Sequence, residues 1–161
     1  MVANDIATGI AILKSTEALS PTEVARLAAS DPNLQTEVAV SGFSYEGMLG
    51  APTLTFGLFS DVKGLNGEPG IRRLELNALS GDAGGPVFDE TGAILGMLLP
   101  SAVDGRKLPE LVSFAVDFTT IQRVVQSAGL KISNSIRTEK IAPEDLTEEA
   151  QALTVLISCW E

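Results

Sequence analysis

The 161-residue sequence has no histidine and a single cysteine, Cys159. Without imidazole the side chain that most often moves protons at neutral pH is missing. One cysteine excludes an internal disulfide and a cysteine-based zinc site; neither a metal nor a cofactor is expected. Cys159 is left as an inert core thiol or as half of a bridge to something outside the chain, the second requiring an oxidising compartment. Basic residues are scarce. Eleven against twenty-one acidic residues give a net charge of −10, which opposes nucleic acid and anionic membranes as partners. Long apolar runs are missing too: the longest, Ala93 to Pro100, is far too short to span a bilayer, and Met1-Val2-Ala3-Asn4-Asp5 lacks the regions of a signal peptide. The sequence therefore reads as soluble, with no membrane insertion. Against these gaps stand 45% hydrophobic residues, enough over this length for one core.

The densest feature is Gly81-Asp82-Ala83-Gly84-Gly85-Pro86-Val87-Phe88-Asp89. At ordinary frequencies of Gly, Asp and Pro, the pattern G-D-x-G-G-P arises by chance in about one of ten thousand chains this long. It resembles the Gly-Asp-Ser-Gly-Gly-Pro of trypsin-like serine peptidases, and in finer detail the bacterial HtrA-type branch. The resemblance implies a tight turn whose backbone N–H groups aim at one point, where the oxyanion of a tetrahedral intermediate forms. Gly81, Asp82 and Ala83 would build that oxyanion hole, with the amides of Gly81 and Ala83 as donors. Ala83 stands where the family carries its serine nucleophile, and a methyl group cannot attack a carbonyl. With the histidine also missing, two of the three triad members are gone.

Taken in order, Gly9-Ile10-Ala11-Ile12-Leu13-Lys14 reads as a buried strand and resembles the run that carries the triad aspartate in HtrA-type enzymes. Gly9 occupies that place here, and Asp5 is an alternative match at the cost of an insertion. Ser20-Pro21-Thr22-Glu23 has the grammar of a helix start, with a capping box and proline at the first helical position, and predicts a helix through Val24, Leu27 and Ala28. Alternation then predicts strands from Thr36 and over Thr53 to Ser60, the latter with Leu54, Phe56 and Leu58 on one side and a bulge or close backbone approach at Gly57. Gly64 to Gly70 is a turn and Ile71 to Leu76 a strand. Beyond the glycine turn, Pro86-Val87-Phe88 and Ala93 to Leu99 flank a hairpin loop. By resemblance the second of these lines the primary specificity pocket, with Met97 and Leu98 as an apolar, substrate-binding wall; a plain core strand is the alternative.

Val112 to Asp117 followed by Thr119 to Val125 resembles the Gly-Phe-Ala-Ile-Pro strand and closing helix of the HtrA type, a second match in the right order. Gly129 marks a helix C-cap. Pro143-Glu144-Asp145 opens a helix through Leu146 and Ala150, and Thr154 to Trp160 reads as a terminal strand that needs a neighbour. Pairing with Ile10 to Leu13, beside a buried Trp160, would supply one.

The expected architecture is mainly β: residues 1–130 hold the six-stranded Greek-key second barrel of the trypsin-like fold together with the last strand of a first barrel, and short helices, with a C-terminal helix and strand extension over 131–161 packing on the same domain. Three functional readings follow. The chain is an inactive peptidase-like domain serving as a binding or structural module, an inactivated or truncated fragment of an active serine endopeptidase, or an unrelated small β domain. A peptide or protein ligand, or a missing N-terminal barrel, is the expected partner. The tryptophan-ending strand resembles envelope proteins that join such a domain to a peptidoglycan-binding module, which places the parent protein in a bacterial periplasm or cell envelope.

Overall fold

The computed structural model describes residues 1–45, 48–103 and 106–158. Strands β1 (Ala3–Asp5) and β2 (Ile10–Ile12) form an antiparallel hairpin. They are followed by β3 (Glu37–Gly42), β4 (Thr53–Asp61), β5 (Ile71–Glu75), β6 (Pro86–Asp89) and β7 (Ile94–Leu98). A small ribbon, β8 (Ala102–Val103) with β9 (Arg106–Lys107), leads to β10 (Val112–Asp117), helix α1 (Phe118–Ser127) and helix α2 (Pro143–Leu153). Six strands close into an antiparallel barrel in the order β10-β5-β4-β3-β6-β7. This is the mainly β, trypsin-like barrel that the sequence predicts.

The barrel strands bury both alternating and consecutive positions. Val38 and Val40 on β3, Phe59 on β4, Leu74 on β5 and Val87 and Phe88 on β6 are all sealed inside. On β4 the apolar set reaches the core less simply than the alternation suggests: Phe56 is exposed and Phe59 is buried, with a register shift between Phe59 and Asp61. Gly57 is the close approach, because a Cβ there would collide with the Glu75 carbonyl of the neighbouring strand. Helix α1 begins at Asp117, whose side chain accepts from the Thr120 amide at 2.8 Å and forms a 2.9 Å ion pair with Arg72. Gly129, at φ +73°, follows the helix C-terminus as expected. Leu146 and Ala150 join α2 to the barrel core.

Three sequence expectations are overturned. No helix follows Ser20: Leu27 is instead bridged in parallel to both Ile94 and Asn134. Four main-chain hydrogen bonds hold it there, among them Ala28 N to Ile94 O and Leu27 N to Ser133 O, each 2.9 Å, and the buried Leu27 side chain outweighs a local capping signal. Ile10–Ile12 does not pair with the C-terminal segment: its partner is β1, and Ile10 packs on Val116 and Val124 of β10 and α1. Val155 to Ile157 is not a strand; the barrel is closed and offers it no edge. The expectations for Cys159 and Trp160 fall outside the described residues.

Candidate functional site

The glycine turn is built by two strand ends pressed together. Ser80–Asp82 forms one turn of 3-10 helix between β5 and β6, and the end of β3, Ser41 to Phe43, lies directly against it. Space dictates the glycines. A Cβ on Gly81 would strike the Phe43 carbonyl, one on Gly85 the Ser41 carbonyl, and one on Gly42 would stand 2.6 Å from the Asp82 Cα. Gly84 is different: nothing crowds it, but its φ of +83° is one that other residues adopt at a cost. Backbone bonds close the structure, with Gly84 N donating to Leu98 O (2.8 Å), Leu98 N to Gly85 O (2.9 Å) and Phe43 N to Gly81 O (3.2 Å).

Asp82 is the internal brace. It is 1% exposed, and a carboxyl so placed needs partners. One oxygen accepts from the Leu79 amide at 2.8 Å and the other from the Ser44 hydroxyl at 2.5 Å. Ser44, its one proton committed, takes a second bond from Thr53 at 2.8 Å. The side chain of Asp82 thus faces inward and fixes the turn from behind. Ala83 faces outward: it is exposed, with an ordinary extended backbone (φ −59°, ψ 133°).

Among the backbone donors expected to converge, the Ala83 amide points to the Ser80 carbonyl at 3.4 Å, closing the 3-10 turn. The Gly81 amide has no backbone acceptor among the described residues. Of the two side chains expected to form an apolar wall, Met97 lines a cavity and Leu98 does not. Met97 is half-buried beside a cavity that Ala83 also lines. Leu98 is 2% exposed and belongs to the barrel core; at the turn it contributes only its backbone.

That cavity, about 510 Å³, has walls from the turn, Phe43, Met97, Ile121 of α1 and the segment Thr154–Ile157 that follows α2. Among the described residues, no charged side chain lines it. Its α1 wall is set by Asp117. Burial would raise that carboxyl, but hydrogen bonds from Thr120 and Thr119 and the nearby Arg72 charge outweigh burial and hold it below its usual range. The C-terminal wall is rooted by Thr154, whose hydroxyl donates to Ser41 Oγ at 2.8 Å. Ser41 is the residue whose carbonyl abuts Gly85, so the C-terminal segment and the turn share one support. Sequence reading missed Ser41, Ser44 and Thr154. An acid between glycines that must be buried was a signal to look for hydroxyls, and Ser41-Gly42-Phe43-Ser44 supplies two at a strand end.

Among the described residues, no cluster of acidic or cysteine side chains could hold a metal ion, and no helix is long and apolar enough to cross a membrane. Comparison with known proteins places this geometry in context. The family model described as a trypsin-like peptidase domain matches residues 1–97. An uncharacterised protein, y4bJ of Sinorhizobium fredii, is 25% identical over 137 residues, 80% of this chain and 22% of that protein. The human peroxisomal leader peptide-processing protease is 32% identical over 93 residues, 55% of this chain and 16% of that protein. Among solved structures, an inactive, serine-to-alanine form of Rv3671c from M. tuberculosis superposes with a TM-score of 0.51 at 22% identity, covering 65% of this chain and 53% of that one. The likeness to that structure is one of fold. The chain spans about a fifth or less of the length of these two relatives.

Proposed function

The chain belongs to the trypsin-like peptidase domain family, and from that premise we propose that it is a member that holds a peptide without cleaving it. One observation carries the reading: the outward-facing position of the G-D-x-G-G-P turn is Ala83, in a sequence with no histidine. The chemistry of acyl transfer needs a nucleophile and a base, and neither is supplied by this chain. What is left is the binding half of such a site: a braced turn, an open apolar cavity beside it and a Gly81 amide with no backbone acceptor among the described residues. Peptidase-like sites lose turnover more readily than they lose shape, since the turn is held by Asp82, Ser44 and three space-limited glycines that have no part in proton transfer.

The reading is tested by panning a random peptide library on the immobilised chain and incubating the same protein with casein and a fluorophosphonate probe. Enriched peptides that lose binding to Ala83→Trp, a substitution on an exposed residue at the cavity mouth, with no turnover and no covalent label, are the expected result. Labelling of any serine, or peptides indifferent to Ala83→Trp, would overturn it.

A second reading has one observation in its favour: the chain spans 53% of the solved chain and 16–22% of the two relatives. In that reading the chain is the inactivated barrel of a longer endopeptidase, whose base comes from another segment. Turnover by a full-length protein carrying Ala83→Ser, but not by this chain with the same change, would select it.

A further inference from the structure

The C-terminal segment past α2 is the most unusual part of the surface. Val155, Leu156 and Ile157 are consecutive aliphatic residues, yet they are 70%, 53% and 63% exposed. Among the described residues, no backbone N–H or C=O of Val155 to Ser158 enters a backbone hydrogen bond. A stretch of aliphatic residues outside helix and strand, whose backbone donors and acceptors meet no described backbone partner, is open to strand addition. The segment is also anchored at its root. Thr154 N bonds Ala150 O at 2.9 Å, its hydroxyl bonds Ser41, and Leu146 and Ala150 are sunk in the core. A rooted edge loses less freedom on binding than a loose tail.

The segment faces the cavity, not open surface alone. Thr154 to Ile157 forms one wall and the Gly81–Gly85 turn another, with Phe43, Met97 and Ile121 between them. At about 510 Å³ the space lies within the range that accepts small ligands or a few side chains, and its lining selects aliphatic ones. Charge selects the occupant further. At −10, two copies of this chain repel one another, whereas a strand with basic flanks is attracted.

We propose that Val155 to Ile157 is a docking edge that takes up an extended, aliphatic peptide with basic flanks and holds it between itself and the glycine turn. The inference rests on the peptide-holding reading above and adds to it both a binding element outside the turn and a class of ligand. The site is then a composite: the barrel supplies the turn and floor, and the extension supplies the backbone ladder.

The probe is a fluorescein-labelled peptide, KKVLVLKK, titrated with the whole chain and followed by anisotropy, with EEVLVLEE as its charge counterpart. Leu156→Pro removes one edge donor and Leu156→Ala trims the side chain while keeping it; melting curves for both should match the parent, since Leu156 is exposed. The expected result is binding of the basic peptide, weakened at least tenfold by Leu156→Pro and less by Leu156→Ala, with at least tenfold weaker binding of the acidic one. Equal affinity of the parent and Leu156→Pro would overturn the docking edge and leave the peptide-holding reading intact. So would failure of KKVLVLKK to bind while library-selected peptides do. Equal binding of the two peptides overturns the charge preference. A concentration-dependent dimer that Leu156→Pro abolishes, in the absence of peptide binding, identifies a second copy as the occupant and overturns the proposal.

Discussion

Ser44 donates its hydroxyl to Asp82 at 2.5 Å across the junction between the end of β3 and the glycine turn. The bond joins residues 38 positions apart and lies in the interior, so it sets where the turn sits relative to the barrel. Ser44→Ala leaves a buried carboxyl oxygen without that donor and should cost about 1–3 kcal/mol, read as a lower urea midpoint at unchanged slope. Thr53→Val removes only the bond behind it and should cost about 1 kcal/mol or less. Equal losses would mean that the two hydroxyls act as one unit.

The glycines of the turn answer to different constraints, and substitution separates them. Gly84→Ala meets no neighbour, so its cost is the backbone term alone, about 1 kcal/mol, and Gly84→Asn should recover part of it because asparagine tolerates positive φ better. Gly85→Ala drives a methyl into the Ser41 carbonyl and obliges β3 or the turn to shift, for about 2–3 kcal/mol. Thermal melts of the three variants give the order directly. If Gly84→Ala is the worst of them, the turn is limited by dihedral strain and not by space.

Much of this molecule is legible in its sequence because the barrel strands carry their own evidence: β-branched and aromatic alternation, with glycine-rich turns at the breaks. The strand around Val38 and Val40, the hairpin closing at Gly92 and the strand-to-helix step at Asp117 lie where those signals put them. The misreadings share one cause, a long-range topology that leaves no local trace. Ser20 to Glu23 has the residues of a capping box, but Leu27 is claimed by Ile94 and Asn134 from 67 and 107 positions away. Val155 to Ile157 has strand composition, but the closed barrel offers it no edge and it pairs with no strand among the described residues. At the site the turn announced itself, whereas Ser44, Ser41 and Thr154 are ordinary hydroxyls until folding brings them to Asp82 and to each other.

That contrast is measurable. Ser20→Ala would remove a cap from a helix, at about 1 kcal/mol, if one existed there; in this structure it should change stability by no more than about 0.5 kcal/mol. Leu27→Ala empties a buried position and should cost about 2–5 kcal/mol. Chemical denaturation of the pair decides between local grammar and tertiary pairing.

Asp117 makes stability depend on acid. Its folded carboxyl titrates below the unfolded value of about 3.9, with burial working against the shift and the Thr120, Thr119 and Arg72 interactions producing it. The unfolded chain therefore takes up its proton first as pH falls. The stabilisation is complete above pH about 4 and is lost as pH drops through the lower folded value. Asp117→Asn keeps a capping side chain but not the charge paired with Arg72, so its stability should decline less steeply below pH 4 than that of the parent. Asp117→Ala loses the cap as well and should cost about 1–2 kcal/mol even at neutral pH. Parallel acid limbs for the parent and Asp117→Asn would assign the shift no role in folding.

Restoring a hydroxyl should not restore chemistry to this chain. In Ala83→Ser the new side chain would occupy an exposed position on an ordinary backbone, so folding is expected to be unaffected. Access is not the obstacle. A serine at neutral pH is a weak nucleophile until a neighbouring base takes its proton, and no histidine exists in the sequence to do so. Asp82, the adjacent carboxyl, cannot serve, because it faces the interior and both its oxygens are engaged by Ser44 and Leu79. The Ala83 amide, meanwhile, is turned to the Ser80 carbonyl instead of toward an incoming oxyanion. Two independent deficits thus remain after the substitution, one of proton transfer and one of charge stabilisation. Peptide ester hydrolysis by Ala83→Ser should match the buffer blank across pH 6–9, while its peptide affinity should stay within about twofold of the parent, since one added oxygen at the cavity mouth changes little of the lining. Turnover above the blank would show that another group of this chain can take the proton and would remove the basis for reading the domain as a binder.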